Sequence, residues 1–111
     1  MRGTLTKKAD IERLFDEGRA ARTHFLTVIV RECGGESARD GRLMIVAGRS
    51  IGNAVRRNRA KRVLREAVRR AGGPWPGHHV AVIARPSALS ASPADLDEAL
   101  SSALDRAGVK R

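Results

Sequence analysis

Three histidines, one cysteine and twelve aspartates and glutamates are the residues of this 111-residue chain that could activate water, attack an electrophile or hold a metal. Their spacing supports none of these. His78 and His79 are adjacent, so on an extended backbone their rings diverge, and His24 is remote from both in sequence. No acidic or cysteine partner lies near His78 and His79 in sequence. Cys33 is the single cysteine, which excludes an internal disulfide and a multi-cysteine zinc site and fits a reducing cytosol. The acids are scattered, among them Asp10, Glu12, Asp16 and Glu17 on a first helix, and Asp95, Asp97 and Glu98 at the start of a last one, where they favour the helix dipole. No glycine-rich phosphate loop, nucleophile elbow or paired-carboxylate spacing occurs. No catalytic residue and no metal ligand is assigned, and the chain reads as a binding protein.

What it binds is indicated by GRSIGNAVRRNRAKRVLREAVRR, Gly48 to Arg70. Nine of these residues are basic and only Glu66 is acidic, so this fifth of the chain carries eight of its ten net positive charges. Elsewhere thirteen basic residues nearly balance eleven acidic ones. At about 100° per residue, a helix over Val55 to Ala71 puts Ala60, Val63, Leu64, Ala67, Val68 and Ala71 on one face. Asn58, Lys61, Arg62, Arg65 and Arg69 occupy the other, flanked by Arg59, Glu66 and Arg70. A solvated helix face normally carries compensating acids at i,i+4, and here Glu66 alone could pair, with Arg62 or Arg70. So dense an uncompensated charge calls for a polyanion, and nucleic acid is the common one. The helix would be about 25 Å long, enough to follow several phosphates.

Other elements must position that helix. The length gives one domain over residues 1–111, with an aliphatic core, since there are two Phe, one Trp and no Tyr. Ile11, Leu14 and Phe15 share a face of a short helix, Lys8 to Glu17, closed by Gly18. Thr23–Glu32 reads as a strand, Cys33–Arg42 as a polar hairpin connection, and Leu43–Ala47 as a second, more buried strand. Gly52-Asn53 offers a turn and a cap for the basic helix, and Gly72-Gly73-Pro74 stops it. Trp75 is expected to cover a core edge. Val80–Ala84 is an apolar run expected at the sheet centre, ended by Arg85-Pro86. Ser92, Pro93 and Asp95 open a last helix whose stripe is Leu96, Ala99, Leu100, Ala103, Leu104 and Ala107, before Gly108 and a basic tail. The N-terminus lacks an apolar targeting core, no run approaches a membrane span, and a cytoplasmic protein with no membrane partner is expected.

RSIGNAVRRNRAKRVLREAVRR closely resembles the signature of the bacterial ribonuclease P protein component: Arg57-Asn58-Arg59, Lys61-Arg62 and Arg65-Glu66 are its core. Leu5 and Lys7, Phe15 and Gly18, and Ala84-Arg85 extend the resemblance across nearly the whole chain. It implies an α+β fold, an α/β sandwich of order αβββαβα similar to a ribosomal-protein domain. In it helices pack a small mixed sheet and the basic helix lies in a left-handed βαβ crossover, against the usual right-handed preference. It implies a subunit that binds a catalytic RNA and the 5′ leader of precursor tRNA. The RNA performs the Mg2+-dependent hydrolysis and the protein alone binds no cofactor. The RNA-binding set implied is Arg49, Asn53, Arg56, Arg57, Asn58, Arg59, Lys61, Arg62, Arg65 and Arg69; Ile11, Phe15, Val28 and Arg85 would line the leader cleft between first helix and sheet. The family commonly has aromatics where Ile11 and Val28 stand and a lysine at Ser50, so weaker stacking on the leader is expected. The alternative is a non-catalytic ribosomal or RNA-assembly protein with the same basic helix.

Overall fold

The computed structural model describes residues 4–33 and 41–109. Helix α1 spans Lys8–Glu17, and Gly18 ends it by donating its backbone N–H to the Leu14 carbonyl at 2.8 Å. A Cβ at Gly18 would collide with that same oxygen and with the Ile29 Cγ2 methyl, so the close approach of the next strands requires glycine here.

Two strands follow where the sequence predicts one. β1 is Arg19–Arg22 and β2 is Leu26–Glu32, paired antiparallel. The Thr23 hydroxyl closes the turn between them, accepting from the Leu26 N–H at 3.1 Å and donating to the Leu26 carbonyl at 2.9 Å. β1 reads RAAR with only Ala21 buried, so it has no hydrophobic alternation to betray it. Its pairing with β2 makes it a strand.

β3 is Arg42–Val46 and β4 is His78–Ala84, in a sheet of order β1-β2-β4-β3. β4 runs antiparallel to β2 and parallel to β3. Two expectations are corrected by this order. β2 and β3 do not form a hairpin, because β4 lies between them; most of their connection, and the tail beyond Val109, fall outside the described residues. β3 is also not the more buried strand: it lies at the sheet edge and all five residues are half-buried. β4 is the central one, with His79–Val82 and Ala84 buried.

A parallel pair needs a crossover, and α2, Ala54–Arg70, supplies it between β3 and β4. Its cap is as expected: the Asn53 side chain accepts from the Arg56 N–H at 3.0 Å. Gly72, at φ 87°, ends it, with the Gly73 N–H reaching back to the Val68 carbonyl at 3.0 Å. α3, Pro93–Arg106, begins with a complete capping box between Ser92 and Asp95. The observed order is therefore αβββαβα.

The period-two alternation of the strands sorts the core. Leu26, Val28 and Val30 of β2 and Val80, Val82 and Ala84 of β4 face α2 and α3, meeting Leu64 and Val68 and the buried stripe Leu96, Leu100 and Leu104. Trp75 closes this core and is itself buried. The opposite face carries α1, where Leu14 and Ala81 are buried with Leu5 against Ile11, Ile29 and Met44.

Candidate nucleic-acid interface

The basic helix is positioned by its apolar side. Ala60, Leu64, Ala67 and Val68 are buried, and the small alanines let α2 lie close to the sheet and α3. The remaining positions must then face outward. Arg56, Asn58, Arg59, Arg62, Arg65 and Arg69 are exposed, Arg57 and Lys61 are half-buried on one flank, and Arg49 projects from the 3-10 turn Arg49–Ile51 just before the helix.

None of these cations forms an ion pair among the described residues. Arg70 is the exception in the run: its Nε and Nη2 grip the Asp97 carboxylate of α3 at 2.9 and 2.8 Å, and that hydrogen bond raises its pKa above the ordinary value. Glu66, which by spacing could pair with Arg62 or Arg70, forms no ion pair among the described residues. Arg70 was not among the expected RNA-facing residues, and the structure gives it a structural task. Asn53, which was, spends its carbonyl oxygen on the cap of α2 and so sets where the arginines begin.

The cations divide between two flanks. Arg56 and Arg59 border a concavity of about 360 Å3 with Ser50 and the 3-10 turn Pro86–Ser90. Lys61, Arg65 and Arg69 border a larger one of about 470 Å3 against β3.

The expected cleft residues are only partly brought together. Phe15 is 44% exposed at the end of α1 and Ile11 is half-buried beside the sheet. Val28 is corrected: it is fully buried and belongs to the core on the far face, because one-residue alternation turns it away from α1. Thr27 and Ile29 are the β2 residues on the α1 side. Arg85 is half-buried; its Nη1 donates to the Thr23 carbonyl at 2.8 Å, tying the end of β4 to the β1–β2 turn.

One polar residue had no role in the sequence reading. His79 is only 2% exposed and neither ring nitrogen has a hydrogen-bond partner among the described residues. Cross-strand register places it between Arg31 and Arg42. Burial above all pushes its pKa below the ordinary 6.5; Asp10 pulls it up, and the two arginines add smaller downward pushes. The pattern HHVAVIA contains the signal, since alternation puts His79 on the face of Ala81 that α1 covers. His78, pointing the other way, lies near the Pro76 carbonyl at 3.0 Å.

The chain is similar to known proteins in both sequence and fold. The family model described as Ribonuclease P matches residues 2–108. The ribonuclease P protein component of Symbiobacterium thermophilum is 34% identical over 110 residues, covering 95% of this chain and 90% of that protein. That of Thermotoga maritima is 36% identical over 85 residues, covering 76% and 70%. Among solved structures, the Staphylococcus aureus RNase P protein superposes with a TM-score of 0.80 at 26% identity, covering all of both chains. The Thermotoga maritima RNase P protein gives 0.78 at 30% identity, covering 99% of this chain and 100% of the other.

Proposed function

The chain belongs to the ribonuclease P protein family and is the protein subunit of that enzyme, and on that premise we propose that it works as an RNA clamp. It binds the catalytic RNA through α2 and the 5′ leader of precursor tRNA through the cleft beside α1. The RNA subunit, with its magnesium ions, carries out the hydrolysis that frees the mature tRNA 5′ end. The protein holds the two RNAs in register and lowers their mutual repulsion. The observation that carries this reading is the row of exposed cations on α2 with no acidic partner among the described residues. Exposed Phe15 supports the leader assignment, since an aromatic left at the surface can stack on a base. The scatter of His, Cys and acidic residues accords with chemistry that resides in the RNA. None of the described helices is long and apolar enough to cross a membrane, and we place the holoenzyme in the cytoplasm.

The test is cleavage of precursor tRNA at low magnesium by protein alone, by catalytic RNA alone and by both. Cleavage is expected only from the reconstituted pair. RNA-free cleavage by protein purified away from nucleic acid would overturn the proposal.

A further inference from the structure

The 470 Å3 groove beside α2 combines three kinds of group. Its floor is apolar, formed by Leu43 and Ile45 of the edge strand β3 and Val68 of α2. Its rim is a row of cations at i, i+4 and i+8, Lys61, Arg65 and Arg69, without an acidic partner among the described residues. The third is backbone. The Leu43 carbonyl points away from β4 and accepts from the Leu5 N–H at 2.8 Å. N–H and C=O of a given strand residue point to the same side and alternate along the chain, so those of Ile45 point outward as well. No backbone or side-chain hydrogen bond from outside the sheet reaches Ile45 among the described residues. An edge strand's free donor and acceptor therefore open into an apolar groove whose lip is positive.

We propose that this groove takes one unstacked nucleotide from a single-stranded joint or loop of RNA. Its base lies against Leu43, Ile45 and Val68, its hydrogen-bonding edge meets the N–H and C=O of Ile45, and its flanking phosphates lie along Lys61, Arg65 and Arg69. The inference rests on the RNA-binding reading of α2 and adds which RNA element that face selects. A duplex presents its phosphates but keeps its bases stacked inside, so it reaches the rim and not the floor. A protein strand could also add to β3, but it would have to be strongly acidic to meet three cations, which makes RNA the better match.

The test uses the full chain and an unstructured RNA oligomer of about eight nucleotides, with a blunt duplex of the same sequence and an oligomer bearing abasic sites as competitors. Fluorescence anisotropy gives the affinities, and amide NMR reports on Ile45. The single strand is expected to bind about tenfold more tightly than either competitor, near the low end of what burying a base contributes, and to shift the Ile45 amide. Thr4 is exposed at the groove lip, so Thr4→Trp fills the groove while leaving every core residue and every cation in place. It should abolish the single-strand preference and leave the salt dependence unchanged, while Thr4→Ser should behave as the parent chain.

Equal affinity for all three nucleic acids, with Thr4→Trp silent, would overturn the groove assignment while leaving α2 an RNA-binding helix. Loss of binding to every RNA would instead be the failure of the broader reading. Displacement of the oligomer by an extended acidic peptide that shifts the Ile45 amide more strongly than RNA does would also overturn it, in favour of a protein partner.

Discussion

Replacing Arg62 and Arg65 together with alanine separates a functional cationic face from a structural one. Both side chains are exposed, and neither has an ion-pair or hydrogen-bond partner among the described residues, so folding loses only what an exposed charge contributes, about 0–1 kcal/mol. Alanine is at least as good a helix former, and removing two like charges relieves repulsion along α2, which reduces that cost further. The thermal midpoint should therefore move by no more than a few degrees, at about 4–8 °C per kcal/mol for a domain near this size. Binding to the catalytic RNA should weaken sharply. Each lost phosphate contact flattens the slope of log affinity against log salt by about 0.7 to 0.9, so the pair should flatten it by roughly 1.4 to 1.8. The assay is affinity across a salt series, beside a melting curve of each free protein.

Leu64→Ala is the control on the opposite side of the same helix. Leu64 is fully buried in the main core, and truncation should cost about 2–5 kcal/mol and lower the midpoint by about 10 °C or more. The molecules that remain folded should keep the parent salt slope. If the double arginine variant melts early and binds with an unchanged slope, the cations serve the fold and the reasoning fails.

Two further outcomes follow from single residues. Phe15→Ala should leave the fold intact, since the ring is nearly half exposed, and should weaken binding of leader-bearing precursor by about 1–3 kcal/mol. Binding of mature tRNA should stay as it was; equal loss for both would assign Phe15 to packing instead. His79 should make stability depend on pH. Its folded pKa lies below the ordinary 6.5, so the unfolded chain binds the extra proton, and stability is full above that value and falls as pH drops through the window beneath it. The slope can reach about 1.4 kcal/mol per pH unit. Denaturant midpoints measured from about pH 8 to about pH 5 check this against His79→Leu, which should lose the histidine-linked slope. Identical slopes in the two proteins would show that His79 is not the titrating group.

Much of the interface was legible in the sequence because its determinants are local. The two faces of α2 follow from spacings of three and four residues, its start from Asn53, its end from Gly72 and Gly73, and the capping box of α3 from Ser92 and Asp95 three positions on. The charge density of Gly48–Arg70 needs no structure at all. The centrality of β4 was likewise carried by its unbroken apolar run. The tertiary structure decided whatever depends on a partner distant in the chain. RAAR becomes β1 only because β2 offers it hydrogen bonds, and inserting β4 between β2 and β3 turns an expected hairpin into two strands that each pair with β4 instead of with each other, and leaves β3 at the edge, where its backbone opens onto the groove. Val28 and Ile29 are both apolar and adjacent, and only the sheet's register tells which faces the core and which faces α1. Arg70 looks like its neighbours until Asp97 of α3, 27 residues on, is brought against it. His79 is polar in sequence and becomes buried because α1 packs over the sheet face that it shares with Ala81. Periodicity and capping are encoded within a turn or two of chain, whereas sheet order, facing and pairing are properties of contacts that form only when the whole chain has folded.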